Sequence, residues 1–238
     1  MTYTEKELQE RVNTFCKEPK PFFLSGERDF VKILLSDLLR EDGSSQKAVL
    51  FAGIFKIVTA SNADMDDIAF MLREIGFEAY EQKENELAEA AFKGAVIIKS
   101  DISDRNNLAY IMRKSGNSSG MRIKEMIDYL SDGVQQKEPF SLINMALIFS
   151  LSLGAEKDWE IADKLMSLVD ADSSAVHWWK DLGEQNDIEG HLVHLWLQNH
   201  RILSESELGT RQYLIEKVNS AYPNVPQWLI DADSAELP

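Results

Sequence analysis

The amino-acid sequence predicts an all-α fold, an array of antiparallel helical hairpins, and three observations carry that prediction. Two long tracts, residues 22–138 and 140–222, contain no proline, so helices can run through them without the lost hydrogen bond and the clash that proline imposes. Apolar residues recur at helical spacing in several places, whereas the apolar and polar alternation of a half-buried strand is sustained nowhere. Short segments also repeat along the chain, as they do when one supersecondary unit is stacked on another.

Taken from the N-terminus, the elements follow from local signals. Thr4 and Glu7 have the spacing of a capping box, and Val31, Leu34, Leu35 and Leu38 form a first stripe. Residues 1–62 carry no repeat signature and read as an N-terminal helical capping segment shielding the apolar face that follows. Asp64, Asp66 and Asp67 gather where a helix start favours negative charge, and Glu81, Glu84, Glu86 and Glu89 read as a solvated face. Ile123, Met126, Ile127 and Leu130 stand at i, i+3, i+4 and i+7; Ile161, Leu165 and Leu168, with Ala162 and Val169, draw another stripe. Between them, residues 139–155 hold no charge but include Ser141, Asn144, Ser150 and Ser152. That stretch is shorter than the roughly 20 residues a bilayer-spanning helix needs, so it reads as a buried inner helix. Ser204 and Glu207 repeat the capping-box spacing, and residues 201–238 read as a capping helix and tail. Gly43, Gly76, Gly116, Gly133, Gly154 and Gly183 each close an apolar stretch and are expected to be helix stops.

Length and charge narrow the function. The 238 residues exceed one domain of roughly 150 without reaching two. With 25 basic and 40 acidic residues the net charge is −15, a field that opposes phosphate and argues against nucleic-acid binding. A hydrophobic share of 44% with 27% charged residues belongs to a folded chain. The single cysteine, Cys16, makes no internal disulfide and suits a reducing compartment. The acidic and polar run from Thr2 to Glu10 lacks the pattern of a secretory leader. A cytoplasmic protein with neither membrane nor nucleic acid as partner is expected.

The internal repeats are specific enough to align. Residues 68–73 and Gly76 match residues 108–113 and Gly116 at an offset of 40, and Asn107, Leu108 and Ala109 match Asn144, Met145 and Ala146 at an offset of 37. Within one copy, Leu72, Ile75, Gly76, Ala88, Phe92 and Ala95 have a spacing that resembles the tetratricopeptide repeat. Asn106 to Tyr110 with Gly116 looks like the first helix of a second copy, and Trp179, Leu182 and Gly183 like the opening of a later one. Asp158, Trp159, Ala162 and Asp163 are similar to the second helix of Sel1-like repeats. After Gly116, Met121, Glu125 and Asp128 replace the small residues of the pattern. The resemblance implies a solenoid over residues 63–200, with another hairpin array or a closed bundle as alternatives, and a groove that binds a protein or peptide.

Candidate site residues are few. Asn107 and Asn144 stand at equivalent repeat positions, and their amides suit a peptide backbone; capping or bridging of neighbouring helices is the plainer reading. Trp178 is the surface candidate beside Trp179, because adjacent helical residues diverge by about 100°; Trp159, Trp179 and Trp196 read as core. All four histidines, His177, His191, His194 and His200, lie between residues 177 and 200. On one helix, Asp187, His191 and His194 would share a face as metal ligands, although ordinary interhelical histidines fit the same pattern. Arg105, Arg113, Lys114, Arg122 and Lys124 form a local basic group. No phosphate loop, nucleophile elbow or Cys-His pattern occurs, so neither a catalytic residue nor a cofactor is expected. The sequence thus points to a non-enzymatic interaction scaffold with a basic partner; an immunity protein neutralising a basic toxin and a metal-dependent enzyme are the alternatives.

Overall fold

A computed structural model of the chain describes residues 65–115, 120–152 and 158–231. Every regular element among them is helical, as the periodicity predicts. The chain divides into two compact units, one ending at Gly116 and the other beginning at Asn117. The first holds α1 (Met65–Glu81), α2 (Asn85–Lys99) and α3 (Ile102–Lys114). The second holds α4 (Gly120–Gln135), α5 (Pro139–Leu147) continued by a π-helical turn (Ile148–Ser152), and α6 (Trp159–Met166). It continues with α7 (Ser174–Glu184), α8 (Ile188–Asn199), a 3-10 turn (Glu205–Glu207), α9 (Arg211–Ala221) and α10 (Gln227–Ile230). No helix among the described residues is long and apolar enough to cross a membrane. The expected N-terminal capping segment, with Thr4, Glu7, Cys16, the first stripe and Gly43, lies outside the described residues, as do Asp64, Gly116, Gly154 and residues 232–238.

α1 packs on α2, α2 on α3, α4 on α5, α7 on α8 and α8 on α9, and several of the short turns between them share one chemistry. Lys83, Lys137, Asn186 and Arg201 take the left-handed conformation, with φ of 65°, 57°, 63° and 56°. The next amide in each case donates back into the finished helix: Glu84 to Ala79 at 2.9 Å, Glu138 to Gly133 at 2.8 Å, Asp187 to Leu182 at 3.0 Å and Ile202 to Leu197 at 2.8 Å. In the first three turns that acidic residue is also the N-cap of the following helix. Glu138 accepts from the amides of Phe140 and Ser141 at 3.1 and 2.7 Å, and Asp187 from that of Gly190 at 2.9 Å. Between α2 and α3, Ser100, at φ 48°, itself donates back to Val96 at 2.8 Å, and Asp101 accepts from the Ser103 amide at 2.8 Å as the N-cap of α3.

Glycine as a helix stop is therefore corrected for the described positions. Gly76 lies inside α1, Gly133 inside α4 and Gly183 inside α7, and polar residues carry the left-handed turns instead. The glycines serve close approach. A Cβ on Gly76 would lie 2.6 Å from the Phe92 ring, which is fully buried between α1 and α2 and meets Phe77 edge-on at 5.2 Å. Ala88, Ala91 and Ala95 complete that contact with no exposure. Replacing Ala88 or Ala95 with leucine is expected to overpack this interface at a cost of about 1–3 kcal/mol each, read as a lower urea midpoint.

α1 also reaches α3. Arg73 binds the fully buried Asp104 through two bonds of 2.5 and 2.7 Å, and the hydroxyls of Tyr80 and Tyr110 meet at 3.0 Å. Of the positions equated by the offset of 40, Ala69 and Ala109 are both 1% exposed and Leu72 and Met112 4% and 0%, whereas Phe70 is 38% exposed and Tyr110 8%.

In the second unit, Ser141 to Ile148 are all buried, so α5 is the inner helix that the uncharged run predicts. The stripe of α6 is displaced from its expected line. Ala162, Leu165, Met166 and Val169 are buried, while Ile161 and Leu168 are exposed; Leu168 lies past the end of α6 at Met166, outside the helical register. Ser204 and Glu207 make their predicted contact, the Ser204 amide donating to the Glu207 carboxylate at 2.6 Å. It closes a three-residue 3-10 turn, and the α-helix begins only at Arg211.

Candidate functional site

Two groups of side chains in the second unit stand out, an aromatic surface on α5 and α7 and a buried polar stripe along α8. The first is built from local capping. Ser173 and Glu138 fix the starts of α7 and α5 through their first amides, and Pro139 sits in the first turn of α5, where a missing N–H removes no helical bond. Phe140 is thereby presented to α7. Its ring lies 5.8 Å from that of Trp178 at 65°, and Trp178 meets Trp179 at 5.0 Å and 85°. Trp179 has no exposure whereas Trp178 retains 38%, the divergence expected of adjacent helical residues. Edge-to-face contacts with Phe140 and Trp179 hold the partly exposed Trp178 indole in a set orientation.

The amides of the expected groove stand differently. Asn107 is half-buried on α3, and Asn144 is 3% exposed on α5. Asn144 thus lies in the core of the second unit. The local basic group also loses members to the fold. Arg105 donates to Ser100, and Arg113 is buried with its guanidinium 5.5 Å from the centre of the Tyr110 ring.

The proposed metal triad is not assembled: among the described residues no three His, Cys, Asp or Glu side chains are grouped as ligands. Asp187 turns back to cap its own helix at Gly190. His191 and His194 are 3% and 1% exposed, and none of their ring nitrogens has a hydrogen-bond partner. Burial is the main reason both titrate below the ordinary histidine range, His194 at about 4. Lys217 adds to the effect at His191, with Asp187 opposing; Glu207 opposes it at His194, where His191 and Lys180 add to it.

The sequence gives no notice of a third arrangement. Asp163 of α6 accepts both the Trp196 indole N–H and His200 Nε2 at 2.9 Å, with Trp159 against Trp196 at 5.4 Å. Trp196 and His200, four residues apart, share a face of the chain, but Asp163 is 33 residues from Trp196 and no local signal pairs them. Beside it, α10 is docked through its backbone. Asn199 and Arg211 both donate to the Leu229 carbonyl, at 3.0 and 2.9 Å, above a fully buried Leu229 side chain.

No protein-family model matches the chain, and neither a curated protein nor a solved structure does.

Proposed function

We propose that this protein is a non-enzymatic interaction scaffold of the helical-hairpin kind, binding a protein or peptide through the aromatic surface around Trp178. The observation that carries the reading is the exposed indole itself, held edge-on by Phe140 and Trp179. A large aromatic ring that loses little freedom on binding is the usual energetic anchor of a protein interface. The tetratricopeptide-like reading draws support from the Gly76, Ala88, Phe92 and Ala95 contact and from α1 touching both α2 and α3. The net charge of −15 favours a basic partner, because complementary fields accelerate encounter.

Affinity capture from the native cells with wild-type and Trp178→Ala protein, followed by titration of the captured protein, tests the reading. The expected result is at least a 30-fold weaker complex, as for an interface anchor worth about 2 kcal/mol, with an unchanged thermal midpoint and an on-rate that falls as salt rises. Equal capture by both proteins rejects Trp178 as the anchor.

A further inference from the structure

The α8 histidine pair is buried without the partners that a charged imidazole needs. His191 and His194 lie one turn apart, and all four ring nitrogens are enclosed without a hydrogen bond. Three elements close over them. α7 brings Lys180; α9 brings Lys217 and Tyr213, whose ring meets His191 edge-on at 5.5 Å and 89°. The 3-10 turn brings Glu207, and Asp187 stands at the start of α8 itself. Both carboxylates are already engaged, Glu207 by the amide and hydroxyl of Ser204 and Asp187 by the Gly190 amide. An added proton would meet Lys217 as well as Asp187 at His191, and Lys180 as well as Glu207 at His194, in a site where no ring nitrogen has a hydrogen-bond partner.

We propose that this pair makes the junction of α8 with the 3-10 turn and α9 an acid-operated joint: protonation releases residues 201–221 from α8 while residues 65–115 stay folded. The turn is the natural point of opening, since Leu203 and Leu208 are its buried apolar anchors and the segment between them is a single 3-10 turn.

The direction follows from linkage. Above the exposed histidine value of about 6.5 neither the closed nor the open joint binds the proton, and the histidines have no effect on opening. As pH falls from there toward about 4, the open joint takes up a proton that the closed His194 refuses. For His194 alone, opening is then favoured about 20-fold more at pH 5 than at pH 7, and the effect levels off below its folded value.

Hydrogen exchange of the full chain, followed by mass spectrometry at pH 7, 6 and 5 and corrected for intrinsic rates, tests the proposal. Protection across residues 201–221 should fall about 20-fold between pH 7 and pH 5, with residues 65–115 unchanged. His194→Leu, which suits an apolar site and cannot be protonated, should reduce that response at least fivefold. Uniform loss of protection in both regions, or no loss across residues 201–221, overturns the proposal from the wild-type protein alone, even where the variant does not fold. A full response in His194→Leu overturns it as well.

Discussion

Arg73→Met is expected to destabilise the first unit by about 3 kcal/mol, measured as loss of stability in urea with helical signal as the probe. Asp104 is fully buried and receives two of its hydrogen bonds from the Arg73 guanidinium. The same hydrogen bond is the leading reason that the arginine is held charged above its ordinary range. Removing the cation leaves a carboxylate facing a dry interface, and the cost of that orphaned charge exceeds the worth of the pair itself. Because Arg73 keeps 26% exposure, water reaches one side, and the effect belongs at the lower end of the 3–5 kcal/mol found when buried pairs are broken. Arg73→Met with Asp104→Leu should recover most of the loss, since no charge is then stranded. A single variant as stable as the wild type would show that the pair does not hold α1 to α3.

Gly190→Ala is expected to cost about 3 kcal/mol in the second unit, although alanine is the better helix former by nearly 1 kcal/mol. The new Cβ would stand 2.5 Å from the Gly183 nitrogen and 2.9 Å from its Cα. Those are backbone atoms of α7, so no side chain can rotate away and the two helices must separate. Their separation would also loosen Trp179 and Val193, both fully buried. Gly183→Ala should be milder, because its Cβ would approach Gly190 only to 3.4 Å. Thermal unfolding of the two variants provides the comparison; a Gly190→Ala midpoint at or above that of Gly183→Ala would contradict the helix approach.

These two residues also mark where sequence reading stops. Gly183 has the position of a helix stop, following an apolar stretch, and that is how it reads alone. Its role depends on Gly190, and the pairing is visible only when α8 returns along α7. Arg73 and Asp104 are 31 residues apart, and nothing in either neighbourhood distinguishes them from surface charges. The candidate site divides in the same way. Trp178 and Trp179 separate on the 100° step of a helix, a local rule, and the structure exposes the one and buries the other. Asn144 follows from repeat alignment, which equates positions but not their solvent exposure. The histidines share a helix face as the spacing requires, yet Asp187 is taken by the cap of its own helix.

The sequence by itself determined what short-range physics controls: the all-α class, the inner helix beginning at Pro139, the Ser204 to Glu207 contact and the spacing that seats Phe92 between Ala88 and Ala95. Such features depend on side-chain periodicity and on amides a few residues away. Only the tertiary structure decided which glycines let helices touch, which charges are paired, and which polar side chains are sealed from water. Those outcomes depend on groups brought together from different helices, seven residues apart for Gly183 and Gly190 and 31 for Arg73 and Asp104, where a burial that orphans a charge or a backbone contact too short for a methyl group overrides any local preference.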